Sequence, residues 1–537
     1  MSSSKSKTAM EKSPDLRVAG ETIDDEEWRK FLIPEHLRFA MMVATRALDA
    51  EIGEEAARKF KENHWEEAPV EPKAPKEKKA PKEPKEKKAP KEKKAPLVVF
   101  VDCKGGGILG HQIKVHLQKL ISEDQVFDIS LMVPFLLYGL TCLRQMEDQD
   151  AKPSEKLRIM IAGGDGEVGK ILRRLGKFSK GQVLVPPIGI IPLGTGNDLS
   201  KSFGWGGSLP SAWSSAVESS LREAAFNRVE QLDSWSIKIV MKKWGKKGKQ
   251  KQQDSLPKGN ITQSVDMQTE LPANLSKDGG VFYKYFSIGM DAEVKYNFNN
   301  REKNKPSLAQ GPIPNKPSLA QGPIPNKPSL AQRPIPNKPS LTQRPIPNKL
   351  SFAAYSCTQE WFCTPCIETK GSRELENILT LHVKKVHRDN WEEVIIPSSI
   401  RAITFLNIHN YGGGAYPWGH LKPEYLEEKK YYEAHPDDGL LEIFGLKQGW
   451  HASCVMAQLT SAKHIAQAAA IKVELRSNAC FIGNETFIQV DGEPGKLKLE
   501  EGRITEVTIE KFPFRPSFII GNKAGGNVTS KKKKKEI

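Results

Sequence analysis

The sequence predicts two folded units in series, an α/β unit built on a parallel sheet followed by a mainly antiparallel β unit. Three observations predict it. From Leu97 to about residue 230, short buried-strand runs alternate with segments of helical period. Beyond Val229 one strand-like run follows another. The glycine-rich segments of the first unit fall where its strands end, the edge at which a parallel sheet presents its ligands.

Taken in order, residues 1–70 carry a helical pattern, WRKFLIPEHLRFAMMVATRALDA and then EEAARKFKENHW, whose apolar spacing predicts packing onto the core. Residues 71–96 repeat KAPKE and KEKK, which bury no apolar surface, so a Lys/Pro-rich disordered linker is expected. The first folded unit spans 97–230. In it LVVFVD (97–102) reads as a buried strand, GGGILG as a turn, HQIKVHLQKLIS as a helix and VFDIS as a second strand. A helix over SLMVPFLLYGLTCLRQME then leads to the strands LRIMIA (157–162) and IGIIPLG (188–194).

The β-rich unit spans 231–515, with strands expected at WSIKIVMK, FYKYFSIGM, LTLHVKKV, AITFLNIH, GLLEIFGL, FIQVD and RITEVTIE. It is interrupted by a polar segment from about Lys243 to Gly279 and by four near-identical copies of the 11-residue unit NKPSLAQGPIP over 304–347. Three prolines per copy forbid regular ladders and favour an extended loop. Loop-closure entropy grows only logarithmically with length, so such an insertion leaves its host folded. Residues 516–537 read as a basic disordered tail.

The net charge of +16 is concentrated in the run from Glu71 to Pro96 and in Lys531 to Lys535. These runs suit an anionic membrane face, at about 1 kcal/mol per well-placed cation, with a solvated linker and tail as the plainer reading. The start shows no apolar run of signal-peptide length and the chain no long uncharged apolar stretch, so peripheral membrane association from the cytoplasm is expected. Seven scattered cysteines lack disulfide-framework spacing, and CTPC (Cys363–Cys366) has no second ligand pair at zinc spacing. No aromatic-rich basic groove accompanies the lysine runs, so no nucleic-acid partner is expected.

Two loops carry candidate chemistry. In IAGGDGEVGK (161–170), Gly163, Gly164 and Gly166 let backbone approach a phosphate at a helix start. PLGTGNDLSKSFGWGG (192–207) repeats the arrangement after another strand, and the two together predict a nucleotide site.

With these loops the chain resembles the diacylglycerol kinase catalytic family, whose fold is shared with sphingosine and ceramide kinases and more distantly with NAD kinases. The residues that carry the resemblance are GGDG (163–166), GTGND (194–198), LDSW (232–235), FSIGMDAEV (286–294), DDG (437–439) and DGEP (491–494), in family order. Stretches such as FGWGGSLPSAW look like the plant members that lack C1 domains. The resemblance implies transfer of the ATP γ-phosphoryl group to diacylglycerol with Mg2+ bridging phosphates, which requires positioning, charge neutralisation and a base at the acceptor hydroxyl. It implies nucleotide binding by Gly163, Gly164, Gly166, Gly194, Thr195, Gly196, Asn197 and Asp198, catalytic roles for Asp165, Asp491 and the candidate base Glu493, and metal-linked carboxylates at Asp437 and Asp438. Asp233 and Asp291 match further acidic positions.

The chain departs from the family pattern at Asp102 and Gly105 in the first glycine loop, at Glu167 and Lys170 in the second, and at Lys284 where relatives commonly carry Asn. A carboxylate 4 Å from a phosphate charge costs about 4 kcal/mol at an effective dielectric of 20. These changes predict weakened nucleotide binding, and they leave two alternatives beside the kinase: an impaired pseudokinase that binds membranes or partners, and a sphingoid-base or ceramide kinase.

Overall fold

A computed structural model describes residues 25–64, 95–147, 152–179, 185–243, 270–276, 279–303, 374–386, 388–419, 421–447, 449–456, 458–477 and 484–521. The expected Lys/Pro linker (but for its last two residues), the 11-residue repeats, CTPC and Lys531–Lys535 lie outside the described residues.

The N-terminal helical pattern becomes three helices, α1 (Asp25–Arg29), α2 (Glu35–Ala47) and α3 (Ala50–His64). Pro34 interrupts the first junction, and Leu48, with φ 58, turns the chain left-handed at the second. Trp28, Phe31, Ile33, Leu37 and Met41 enter the core of the α/β unit. Gln125, fully buried, locks them there: its Oε1 accepts from Ile33 N at 2.9 Å, and its Nε2 donates to Phe31 O at 3.1 Å and to Leu97 O at 2.6 Å.

The first sheet contains β1 (Leu97–Val101), β2 (Val126–Asp128), β3 (Arg158–Gly163), β4 (Ile188–Pro192) and β5 (Val229–Gln231), joined by the last strand of the chain, β19 (Ser517–Ile519). Its order is β2-β1-β3-β4-β19-β5, parallel from β2 through β19 and antiparallel at the β19–β5 edge. β1, β3 and β4 are buried almost throughout, as runs of Val, Ile and Phe in a sheet covered on both faces should be. Helices α4 (Gly107–Ile121), α5 (Ile129–Met146, with a π turn at Phe135–Gly139), α6 (Asp165–Ser179), α7 (Asp198–Ser202) and α8 (Trp213–Ala224) fill the connections. α4 begins inside the segment expected as a turn, so only its first glycines are loop.

The strand β19 corrects the expected disordered tail from residue 516. Basic composition drew that boundary, but SFII is an apolar run with a place to pair. Phe518 is fully buried, stacks on Phe203 with centroids 4.3 Å apart, and Ile520 N donates to Arg228 O at 3.0 Å. The chain crosses into the β-rich unit after β5 and returns to close the first sheet.

The second unit is two antiparallel sheets, as its strand pattern predicted. β6 (Ser234–Lys243), β7 (Leu275–Ser276), β8 (Gly279–Phe282), β10 (Leu379–Lys384), β11 (Glu392–Val394), β15 (Ala470–Arg476) and β18 (Arg503–Phe512) form one, in the order β11-β10-β15-β18-β6-β8-β7. β9 (Tyr285–Gly289), β12 (Ala402–Leu406), β13 (Leu441–Leu446), β14 (Lys463–Ala468), β16 (Glu485–Val490) and β17 (Glu493–Lys498) form the other, β14-β13-β12-β9-β16-β17. One apolar layer joins them, with Ile237, Leu381, Val473 and Val507 from the first sheet and Phe286, Ile288, Phe405 and Ile443 from the second. Tyr283 and Lys284, between β8 and β9, carry the chain from one sheet to the other, and Tyr283 packs into the core of the α/β unit.

Candidate functional site

The two glycine loops meet. β3 ends at Gly163 and α6 starts at Asp165, while β4 ends at Pro192 and α7 starts at Asp198. A Cβ on Gly194 would stand 2.7 Å from Gly164 Cα, and one on Gly164 would stand 3.0 Å from Gly194 Cα, so the backbones touch and a side chain at either would part them. A Cβ on Gly166 would meet nothing within 4 Å, which leaves open space at the amide-bearing start of α6. Asn197, at φ 55, braces the second loop: Oδ1 accepts from Gly194 N at 3.1 Å, and Nδ2 donates to Gly194 O at 2.7 Å and Gly207 O at 2.8 Å. Thr195 is exposed at the tip, with Gly196 beside it half-buried. Asp165 ties the loops together by capping α7, its Oδ2 accepting from Asp198 N at 2.7 Å and its Oδ1 from Leu199 N at 3.2 Å.

The β-rich unit supplies the opposing charges. Lys284 Nζ lies 3.2 Å from Asp165 Oδ2, with both side chains under 10% exposed. Burial works against the ammonium, but Asp165 and Asp198 outweigh it and hold Lys284 protonated, its pKa above the ordinary lysine value. Burial raises the Asp198 carboxyl, with Lys284 pulling it down and Asp165 pushing it up; its Oδ1 accepts from Gly413 N at 2.8 Å, while Lys201 Nζ donates to Gly413 O. Asp491 is the second anchor. At φ 52 it accepts from the N–H groups of Tyr283 (3.2 Å), Lys284 (2.7 Å) and Tyr285 (3.2 Å), and it pairs with Arg173 of α6 at 3.2 Å. Burial raises its carboxyl too, and Arg173 and Lys284 oppose that rise.

The structure thus brings Asp165, Asp198 and Asp491 into one layer between the units, joined by Lys284 and Arg173. Glu493, two residues past Asp491, stays half-buried and lines a cleft with Lys170, Arg173 and Arg174 of α6. Lys295, on the helix α9 (Met290–Lys303), is close enough to feel it: burial lowers the ammonium and Glu493 counters. Asp291, on the same helix, accepts from Ser287 Oγ at 2.7 Å, Tyr411 Oη at 2.6 Å and Gln489 Nε2 at 2.8 Å, a structural post beneath the site.

Asp437 and Asp438 belong to a different cluster. Asp437 is exposed, and its carbonyl accepts from Arg515. Both carboxylate oxygens of Asp438 accept backbone N–H groups, from His435 at 2.9 Å and Leu440 at 2.7 Å, and the turn leans on Asp233, which accepts from Gly439 N at 2.6 Å. Asp233 is fully buried and paired with Lys511 at 3.0 Å and Arg515 at 2.7 Å. Magnesium prefers carboxylate oxygens with room for water and phosphate ligands. Each Asp438 oxygen accepts one backbone N–H, and among the described residues no group of three or more His, Cys, Asp or Glu is placed to hold a metal. The DDG turn is thus held by its own backbone and by Asp233.

The substituted loop positions also find local partners. Asp102 Oδ1 accepts from Lys104 N at 3.1 Å and Gly105 N at 2.7 Å, so its carboxylate closes its own turn. Glu167 pairs with Lys170 at 2.6 Å on the exposed side of α6. Sequence reasoning missed Arg173, Lys201 and Gly413, and marked Lys284 only as a departure. A Lys between two glycine-loop aspartates carries no local signal, because its partner lies 119 residues away.

Comparison with known proteins agrees with this geometry. The description "Diacylglycerol kinase catalytic domain" matches residues 96–229, and "Diacylglycerol kinase accessory domain" matches residues 334–494. Diacylglycerol kinase 3 of Arabidopsis thaliana is 44% identical over 433 residues, covering 79% of this chain and 81% of its own. Diacylglycerol kinase 7 of the same plant is 43% identical over 448 residues, with the same coverage of 79% and 81%. Diacylglycerol kinase 4 is 44% identical over 433 residues, covering 79% and 82%. A solved yeast NADH kinase complexed with NADH aligns over 80% of this chain and 85% of its own at a TM-score of 0.31 and 8% identity, too distant to carry an argument.

Proposed function

This chain belongs to the diacylglycerol kinase family, and from that membership we propose that it transfers the γ-phosphoryl group of ATP to the free hydroxyl of a diacylglycerol, giving phosphatidate. The observation that carries the reading is the contact of two glycine loops at Gly164 and Gly194, clamped by Asp165, with Glu493 held across the unit boundary through the Asp491 turn. The open space at Gly166 and the amides at the start of α6 suit the nucleotide phosphates. Magnesium arriving with ATP would supply charge neutralisation at the phosphates, and no residue role here depends on it.

Glu493 takes the proton of the acceptor hydroxyl as that oxygen attacks the γ-phosphorus and ADP leaves. Asp165 and Asp491, with their oxygens occupied by protein donors, position the loops and the base rather than exchange protons. Lys284 adds a fixed positive charge between the glycine loops, preorganised where phosphate charge gathers. The test is phosphatidate formation from radiolabelled ATP and diacylglycerol in mixed micelles: the natural chain turns over and Glu493→Gln falls by at least about a hundredfold. Full activity of Glu493→Gln removes it as the base.

The protein is further proposed to reach its lipid as a peripheral visitor to anionic membranes through its lysine runs. Deleting Lys531–Lys535 then weakens vesicle flotation, and unchanged flotation removes the tail from that role.

A further inference from the structure

A turn of three glycines in the β-rich unit reaches across to the second glycine loop. Gly412, Gly413 and Gly414 stand at φ 62, 97 and 99, backbone that side chains rarely adopt, and Tyr411 and Ala415 close the turn with N–H to O bonds of 3.0 Å in both directions. Its base is fixed. The Tyr411 hydroxyl donates to Asp291 Oδ2 at 2.6 Å, and the buried ring packs edge-on against Tyr285. Its crest is held by α7: Asp198 Oδ1 accepts from Gly413 N at 2.8 Å, Lys201 Nζ donates to Gly413 O, and the Asn410 amide lies 3.0 Å from Ser202 Oγ.

The Lys201 side chain threads between two glycines. A Cβ on Gly207, at the far end of the second glycine loop, or on Gly414, in the turn, would collide with it. Lys201 therefore needs bare backbone on both sides to reach Gly413 O. Gly207 is itself tied to the loop, since its carbonyl accepts from Asn197 Nδ2 at 2.8 Å, the amide that also holds Gly194. Lys201 and Asn197 between them connect the turn to both ends of the loop.

We infer, resting on the kinase reading above, that Lys201 and the Gly412–Gly414 turn form a clasp by which the β-rich unit sets the second glycine loop in its nucleotide-binding shape. Lys201 is then a positioning residue for ATP. The loop needs such support, because Thr195 is exposed at its tip between two glycines, and α7 behind it has only five residues, too few to hold itself by its own ladder. Asp165 caps the α7 amides from within the α/β unit, and the turn holds the Asp198 and Lys201 side chains from the other unit. The loop keeps its shape while the two units are closed on each other, so affinity for ATP depends on a segment more than 200 residues along the chain from the loop.

The experiment measures equilibrium binding of a fluorescent, non-hydrolysable ATP analogue to the full chain and to Lys201→Met, Gly414→Ala and the double variant, under conditions where urea titration shows each still folded. Methionine keeps the apolar stem and removes the donor, whereas alanine keeps Lys201 and puts a methyl group, at φ 99, where its stem runs. Each single variant is expected to weaken the analogue by about tenfold, as for the loss of one hydrogen bond from a charged donor, and to raise the KM for ATP far more than it lowers kcat. A purely structural role would lower the urea midpoint and leave the affinity of the folded chain in place. The double variant should lose little beyond the worse single one, because both open the same clasp. Lys201→Met decides alone if Gly414→Ala does not fold. Affinity within about twofold of the natural chain in Lys201→Met, or losses that multiply to about a hundredfold in the double variant, overturns the assignment. The two readings fail separately. Phosphatidate production with an ATP KM indifferent to both substitutions removes the clasp and keeps the kinase; Lys201-dependent binding of the analogue without phosphatidate production removes the kinase and keeps the clasp.

Discussion

Two carboxylates two residues apart on the same helix start meet opposite environments. Asp165 turns inward, where it caps α7 and meets Lys284 with both side chains under 10% exposed. Glu167 turns outward and meets Lys170, with side chains 36% and 57% exposed. The ion-pair distances, 3.2 Å and 2.6 Å, would rank the outer pair as the tighter one. Physical chemistry reverses the order. Water screens the outer pair to a few tenths of a kcal/mol, roughly, while the inner pair has given up its hydration and each partner depends on the other. An altered residue in a glycine loop therefore matters according to the side it faces.

The largest expected effect comes from breaking the inner pair. Lys284→Met leaves Asp165 and Asp198 facing each other in a dry layer, at a cost of about 3–5 kcal/mol in urea unfolding. Nucleotide binding by the folded fraction should fall with it, because the Asp165 cap joins the two loops. Stability within about 1 kcal/mol of the natural chain would mean that water reaches the pair. Asp491→Ala comes next. It strands three backbone N–H groups and Arg173 and puts alanine at φ 52, so about 2–4 kcal/mol is expected. Asn, which tolerates that φ and keeps one acceptor oxygen, should recover about half of the loss in the same assay.

The sequence made the outer half of this contrast legible and hid the inner half. Glycine positions could be read because a phosphate loop needs bare backbone, and Gly164 against Gly194 adds a need the sequence did not announce, close contact of one loop's backbone with the other's. Strand alternation likewise gave both sheet types, since a buried parallel strand and a half-exposed antiparallel one differ in their apolar period. Arg173 and Asp491 are 318 residues apart, and nothing in either neighbourhood announces the other. The strand Ser517–Ile519 was hidden by the lysines beyond it. The metal-linked reading of Asp437 and Asp438 came only from the family resemblance; in the fold each Asp438 oxygen accepts a backbone N–H and the turn leans on Asp233.

That second cluster offers a test of middle size. Burial lifts the Asp438 carboxyl to about 6, with Glu442 and Asp233 adding to the rise and the N–H groups of His435 and Leu440 opposing it. A folded-state value above the ordinary carboxylate value means the folded form prefers the protonated acid. The stability it contributes is fully present below about pH 4 and is lost as pH rises through about 6. Allowing for its partial exposure, the loss is about 1 kcal/mol. Asp438→Asn should flatten this part of the stability profile from pH 4 to 7 without altering nucleotide binding. A profile that keeps its slope places the titrating group elsewhere.

The smallest effect should come from the residue that looked most damaging. A carboxylate 4 Å from a phosphate would cost about 4 kcal/mol, roughly a thousandfold in affinity. Glu167 instead points to solvent and is matched by Lys170 on the next turn of α6, so the pair brings almost no net charge to the phosphate loop. Glu167→Gln should tighten ATP by no more than about threefold, and the gain should fade between low and physiological salt because only a screened field is removed. Adding Lys170→Met should return affinity towards the starting value, since the two charges cancel at a distance. If Glu167→Gln alone tightens ATP a hundredfold, the carboxylate swings inward when nucleotide binds, and the outer pair belongs to the site after all.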